Sequence, residues 1–238
     1  MNKKILWSIP FLILLTAIVA FLVYTGNYYH ADEIALSAMK SDEDVQTRNV
    51  NFGWIFDGPS DENALVFYAG GKVEETAYAP LCRELARNGM DVYLLRLPFR
   101  IAFFGLNMAG EVINEYDFYE QWFIGGHSLG GVAAASYAAR KGDDLDGLIL
   151  LGSYVMDDLD ESLKVLLIHG SEDKVLNMER FEKSLENLSP IYVDHVIQGG
   201  NHAQFGSYGP QKGDGTALIS PEQQVRETVQ TIISTFVK

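Results

Sequence analysis

Residues 123–142 read FIGGHSLGGVAAASYAARKG, a serine held between glycines with an apolar run before it and an alanine-rich stretch after it. Gly126-His127-Ser128-Leu129-Gly130 fits G-x-S-x-G, the pattern of a serine exposed on a sharp strand-to-helix turn. Such a serine can attack an acyl carbon, but only with a base to take its proton and a third group to orient that base. The pentapeptide alone is also satisfied by a turn whose serine merely caps a helix, so the partners carry the argument.

Two partners follow in a sensible order. VLLIHGSEDKVLN places Asp173 in the loop after an apolar strand, and VIQGGNHAQFGSYG places His202 in the loop after the last one. Ser128, Asp173 and His202 thus fall at C-terminal strand ends, the edge where open α/β sheets build their sites. Each has rivals: Glu172, Asp157, Asp158 and Asp160 for the acid, and His30, His127, His169 and His195 for the base. His202 has the right address, since His169 and His195 fall within strands, His30 lies beside the N-terminal apolar run, and His127 points away on the turn. An oxyanion needs two backbone N–H donors. Leu129, after the serine, is one candidate, and Gly71 or Lys72 in YAGGKV is the other.

These residues need elements to hold them. ALVFYAGG (64–71) is a continuous apolar run ending in two glycines, as a buried parallel strand is. Apolar positions at helical spacing then run from Glu74 to Asn88, with Gly89 as the cap. The alternation repeats through DVYLLRL, LNMAGEVINEY, QWFIGG, the alanine-rich helix, LDGLILLG, LKVLLIHG, NMERFEKSLENL, IYVDHVIQGG and a last helix that Ser220 caps and Pro221 opens. Alternating strands and helices predict an α/β domain with a mostly parallel sheet covered on both faces.

The 238 residues suit one sizeable domain with an appendage. A formal charge of -14 repels phosphate backbones and argues against nucleic-acid binding. The single cysteine, Cys82, forms no internal disulfide and falls in a helical stretch, where a packed thiol is expected. Lys3 and Lys4 precede Ile5–Tyr24, an uncharged apolar run that predicts a transmembrane anchor over 1–27, with the N-terminus cytoplasmic and the domain outside. The alternative is a secretory signal peptide, although YTGNYYHADE offers no small-residue cleavage site. An acidic linker with a short helix is expected over 28–49, and the domain over 50–238.

At YAGGKV, GGHSLGG, GSEDKVL and GGNHAQFGSYGPQKGDG the chain resembles the α/β-hydrolase superfamily, in particular the compact bacterial type called alpha/beta hydrolase family 5. The likeness spans about residues 28–238. It implies an α/β-hydrolase fold, a Ser128, Asp173 and His202 triad working through an acyl-enzyme, and no metal or other cofactor. It also implies hydrolysis of a small-molecule ester or related acyl bond. The chain is similar in size to dienelactone hydrolases, but those carry a cysteine where Ser128 stands. Only SYVMDDLDES is available for the helical cap of larger relatives, so LPFRIAFFGLNMAG and the loop after His202 must supply cover, with Phe99, Ile101, Phe103 and Phe104 as the pocket wall. A second reading makes the chain a catalytically silent binding module of the same fold at the cell surface. Oligomeric state is not legible.

Overall fold

The computed structural model describes residues 3–188 and 190–237, with side chains from Pro10 onward. Met1 and Asn2 at the start of the expected anchor, and Ser189 and Lys238 of the expected domain, lie outside the described residues.

An eight-stranded sheet runs in the order β1-β2-β4-β3-β5-β6-β7-β8. The strands are β1 (Gln46–Val50), β2 (Gly53–Asp57), β3 (Asn63–Tyr68), β4 (Met90–Leu95), β5 (Gln121–His127), β6 (Gly147–Leu151), β7 (Lys164–Gly170) and β8 (Tyr192–Ile197). From β4 to β8 every neighbouring pair is parallel, while β1 and β2 add an antiparallel hairpin at one edge. The central strands β3 and β4 are buried at every position, which explains their unbroken apolar runs.

The helices are α1 (Lys3–Gly26), α2 (Glu33–Ala38), α3 (Ala79–Arg87), α4 (Met108–Glu115), α5 (Leu129–Lys141), α6 (Met178–Ser184) and α7 (Pro221–Phe236). Of these, α3 packs on β4, α5 on β5 and β6, and α7 on β7 and β8. Asn177 caps α6 by accepting from Arg180 N–H, and Ser220 caps α7 by accepting from Gln223 N–H. No helix forms between β6 and β7, so nothing there builds a lid.

Two expectations are corrected. The hairpin strand β1 occupies residues assigned to the linker: QTRNV is polar because β1 is a mostly exposed edge strand. The transmembrane anchor is not supported either, because among the described residues no helix is long and apolar enough to cross a membrane.

Beneath the hairpin edge, Asp91 is fully buried on β4. Its carboxylate accepts from Gly58 N–H at 2.7 Å and from the Tyr119 hydroxyl at 2.7 Å. Burial pushes its pKa up to about 6, outweighing those hydrogen bonds. A carboxyl whose folded pKa is raised stabilises the fold most below the unfolded pKa of about 4, and that contribution is lost as pH rises through 6. Asp91→Asn cannot ionise. The variant should therefore lose a fall of roughly 2–3 kcal/mol in stability between pH 4 and 7 that the parent shows in urea titrations at a series of pH values.

Candidate active site

Ser128 sits between β5 and α5, with φ 53° and ψ -124°, a backbone conformation that favours glycine. Its N–H donates to Leu151 O at 2.9 Å, and its carbonyl accepts from the Ser153 hydroxyl at 2.8 Å. These bonds to the end of β6 and the residues after it hold the strained turn in place. The flanking glycines are required by close approach: a Cβ at Gly126 would lie 2.6 Å from the Gly130 carbonyl carbon, and one at Gly130 would lie 2.2 Å from Tyr68 O. Ser128→Gly should relieve the strain and raise stability by about 1 kcal/mol, or about 2–4 °C in melting temperature by calorimetry.

His202 and Asp173 come together at the sheet edge. His202 Nδ1 lies 2.8 Å from Asp173 Oδ2, with both side chains 1% exposed. The other carboxylate oxygen accepts from Val175 N–H at 2.9 Å and Leu176 N–H at 2.8 Å, which fixes the carboxylate plane. Gly152 lies against the pair, and a Cβ there would come within 2.9 Å of His202 Nδ1. Since Gly152 follows Leu151, whose carbonyl holds Ser128 N–H, one turn of chain touches all three residues. His202 Nε2 is buried with no hydrogen-bond partner, so Ser128 Oγ and Nε2 are not bonded in this structure. Catalytic hydrogen bonds are often long before substrate arrives and tighten around it.

The rival residues are occupied elsewhere. His169 faces Asp194 at 3.6 Å, His195 faces Glu227 at 2.9 Å, and His30 faces Glu74 at 3.3 Å. Asp157, Asp158 and Asp160 are exposed, and Glu172 accepts from the Ser171 hydroxyl at 3.1 Å.

Of the two residues nominated in YAGGKV, Lys72 has its N–H engaged with Arg100 O at 2.9 Å. Gly71 N–H makes no hydrogen bond among the described residues, and a Cβ at Gly71 would meet Leu129 Cδ2 at 2.9 Å. The Leu129 N–H opens α5, where the first turn leaves backbone donors unpaired. Gly71 and Leu129 are therefore adjacent across two loops.

Three supporting residues escaped the sequence reading. Tyr78 accepts from Gly70 N–H at 3.1 Å and shares a hydrogen bond of 2.8 Å with His127 Nδ1, tying the Gly71 loop to the serine turn. The His127 ring lies 4.4 Å from that of His202, and burial, reinforced by His202, holds its pKa well below the ordinary imidazole value. Asp214 binds the loops that carry Asp173 and His202, accepting from Ala203 N–H at 2.8 Å, His202 N–H at 3.3 Å and Lys174 N–H at 3.3 Å. The signal for Asp214 was its Asp-Gly step in the Gly-rich loop; nothing in the sequence marks the Tyr78–His127 pairing.

Phe99, Phe103 and Phe104 stand about half exposed in two 3-10 turns rather than enclosed. Phe99 and Phe104 pack edge-on at 5.6 Å. A cavity of about 1280 Å³ lies among α2, α3, α7 and the loop after His202; its wall includes Asn201 and Ala203 but none of Ser128, Asp173 or His202.

The Alpha/beta hydrolase family profile matches residues 64–226. No curated protein shows a significant match to the chain. Solved structures with the same fold include the hyperthermophilic esterase from Pyrobaculum calidifontis, at 17% identity and TM-score 0.60, covering 93% of this chain and 92% of that one. A monoacylglycerol lipase from Paleococcus ferrophilus matches at 16% identity and TM-score 0.59, covering 80% of this chain and 99% of its own. A dienelactone hydrolase from Anabaena variabilis matches at 13% identity and TM-score 0.60, covering 82% and 100%. These likenesses are of fold. With the profile spanning more than half of the sequence, from β3 into α7, the chain belongs to the alpha/beta hydrolase family.

Proposed function

We propose that the chain is a serine hydrolase that cleaves a carboxylic ester or a related acyl bond. Ser128 Oγ attacks the acyl carbon as His202 Nε2 takes its proton, and Asp173 holds the ring and stabilises the imidazolium. The N–H groups of Gly71 and Leu129 receive the oxyanion. Collapse breaks the acyl–oxygen bond, and the alcohol departs with the proton from His202, leaving the acyl group on Oγ. Water then attacks, giving its proton to His202. The second collapse releases the acid and returns the proton to Ser128. Water is the sole co-reactant.

The observation that carries this reading is the buried Asp173–His202 pair at 2.8 Å whose second imidazole nitrogen has no partner. Burying a histidine and a carboxylate together is costly unless the arrangement is used, and the open nitrogen is the one a base needs. The esterase and lipase names of two structural neighbours agree with it. The absent Ser128–His202 bond favours the second reading, a silent binding module. A panel of p-nitrophenyl esters of graded chain length separates the two. Serine-dependent turnover of at least one member is expected, and turnover of none would leave the binding module.

A further inference from the structure

Helix α1 carries a broad exposed apolar surface. Phe11, Leu12, Ile13 and Leu14 are each at least 59% exposed, and Ile18, Val19, Leu22 and Val23 are also exposed. Successive helix residues point about 100° apart, so four consecutive exposed apolar side chains cover every side of α1. A partner protein covers one face of a helix. A helix that is apolar all round is matched by a solvent that is apolar all round.

The foot of this helix meets the site. Phe21 packs edge-on against Phe99 at 5.1 Å and Phe104 at 6.2 Å. Lys72 Nζ stands 4.2 Å from the Tyr24 ring centre, and the Arg100 guanidinium 3.5 Å from that of Tyr28. Two cations and two tyrosines at the base of an apolar helix suit the headgroup level of a bilayer, where lipid phosphates lie beside the hydrocarbon. These cations belong to a chain of formal charge -14, so their clustering runs against the overall field.

The loop joining helix to site is strained. Phe99 and Arg100 have φ of 55° and 57°, consecutive left-handed residues without being glycine. Arg100 O holds Lys72 N–H at 2.9 Å, and Lys72 follows Gly71, which abuts Leu129. From Phe21 to the residue after Ser128 there is an unbroken path of contacts.

We infer that α1 and the exposed Phe99, Phe103 and Phe104 are seated in a phospholipid layer, placing the mouth of the site at its surface, and that the substrate is an acyl ester resident in that layer. Seating requires α1 to enter the hydrocarbon, not to cross it. The substrate class rests on the serine-hydrolase reading; the lipid seat does not.

Flotation of the full chain with phosphatidylcholine vesicles tests the seat. The parent and Ser128→Ala should float, and Val19→Glu combined with Val23→Glu should remain at the bottom, each buried charge lowering partition by about a hundredfold. Hydrolysis of p-nitrophenyl palmitate carried in the vesicles should fall at least about tenfold in the double variant, while p-nitrophenyl acetate in solution is cleaved at the parent rate. Acetate cleavage also shows that the variant is folded. A parent chain that stays at the bottom, a double variant that floats equally well, or a dimer paired through α1 that persists with vesicles would overturn the seat. Flotation as described with palmitate cleavage unaffected would overturn the substrate class. Flotation as described with no ester cleaved by any protein would uphold the seat while removing the hydrolase reading.

Discussion

Ser128→Ala lowers ester turnover by about five orders of magnitude while the melting temperature stays within a degree or two. The reasoning rests on two separable properties of the residue. In the proposed mechanism the hydroxyl is the group that makes and breaks the acyl bond, so its removal leaves only the binding and electrostatic contribution of the oxyanion donors. The backbone strain at φ 53° is unchanged by alanine, which has the same Cβ, and the bonds from Ser128 N–H to Leu151 O and from the Ser153 hydroxyl to Ser128 O survive. Steady-state kinetics with p-nitrophenyl butyrate and calorimetry on the same preparation check both halves. A fall in activity accompanied by a large fall in melting temperature would show Ser128 to be structural.

Asp173→Asn lowers kcat by about 10⁴-fold with little change in KM. The size of the effect follows from how the carboxylate is held. One oxygen accepts from Val175 and Leu176 N–H, so the asparagine carbonyl is drawn to that side and the amide nitrogen faces His202 Nδ1. An N–H there demands that Nδ1 accept, which moves the imidazole proton to Nε2. Nε2 can then no longer receive the serine proton. The residue keeps its size and its two backbone bonds, so the fold persists. Parallel kinetics for Asp173→Asn and Asp214→Asn separate tautomer control from loop positioning, because Asp214 touches the backbone of the His202 loop and not the ring. Equal losses in the two variants would contradict the role given to Asp173.

The sequence was most legible where backbone geometry restricts residue type. Gly126 and Gly130 leave no room for a Cβ, and that constraint is visible as a motif. The buried strands β3 to β7 were legible for the same kind of reason, since a parallel strand covered on both faces tolerates few polar residues. Edge strand β1 was not legible, because three of its five positions are exposed and QTRNV resembles linker. Which of Gly71 and Lys72 keeps its N–H unengaged could not be read from sequence: it turns on Arg100 O, 28 residues away in the chain, capturing Lys72 N–H. The network of Tyr78 and His127 spans 49 residues and has no local signature. The aromatic run at Phe99–Phe104 announced apolar surface, but whether it faces inward or outward depends on packing against α1, which periodicity does not encode.

Intact-mass and peptide analysis after reaction with a fluorophosphonate tests the central claim most directly, because the reagent requires an activated serine and not a particular natural substrate. A single adduct on the peptide containing Ser128, absent after Asp173→Asn or His202→Ala over the same interval, is the predicted result. An unlabelled protein, or an adduct on another serine while Ser128 stays free, would contradict it.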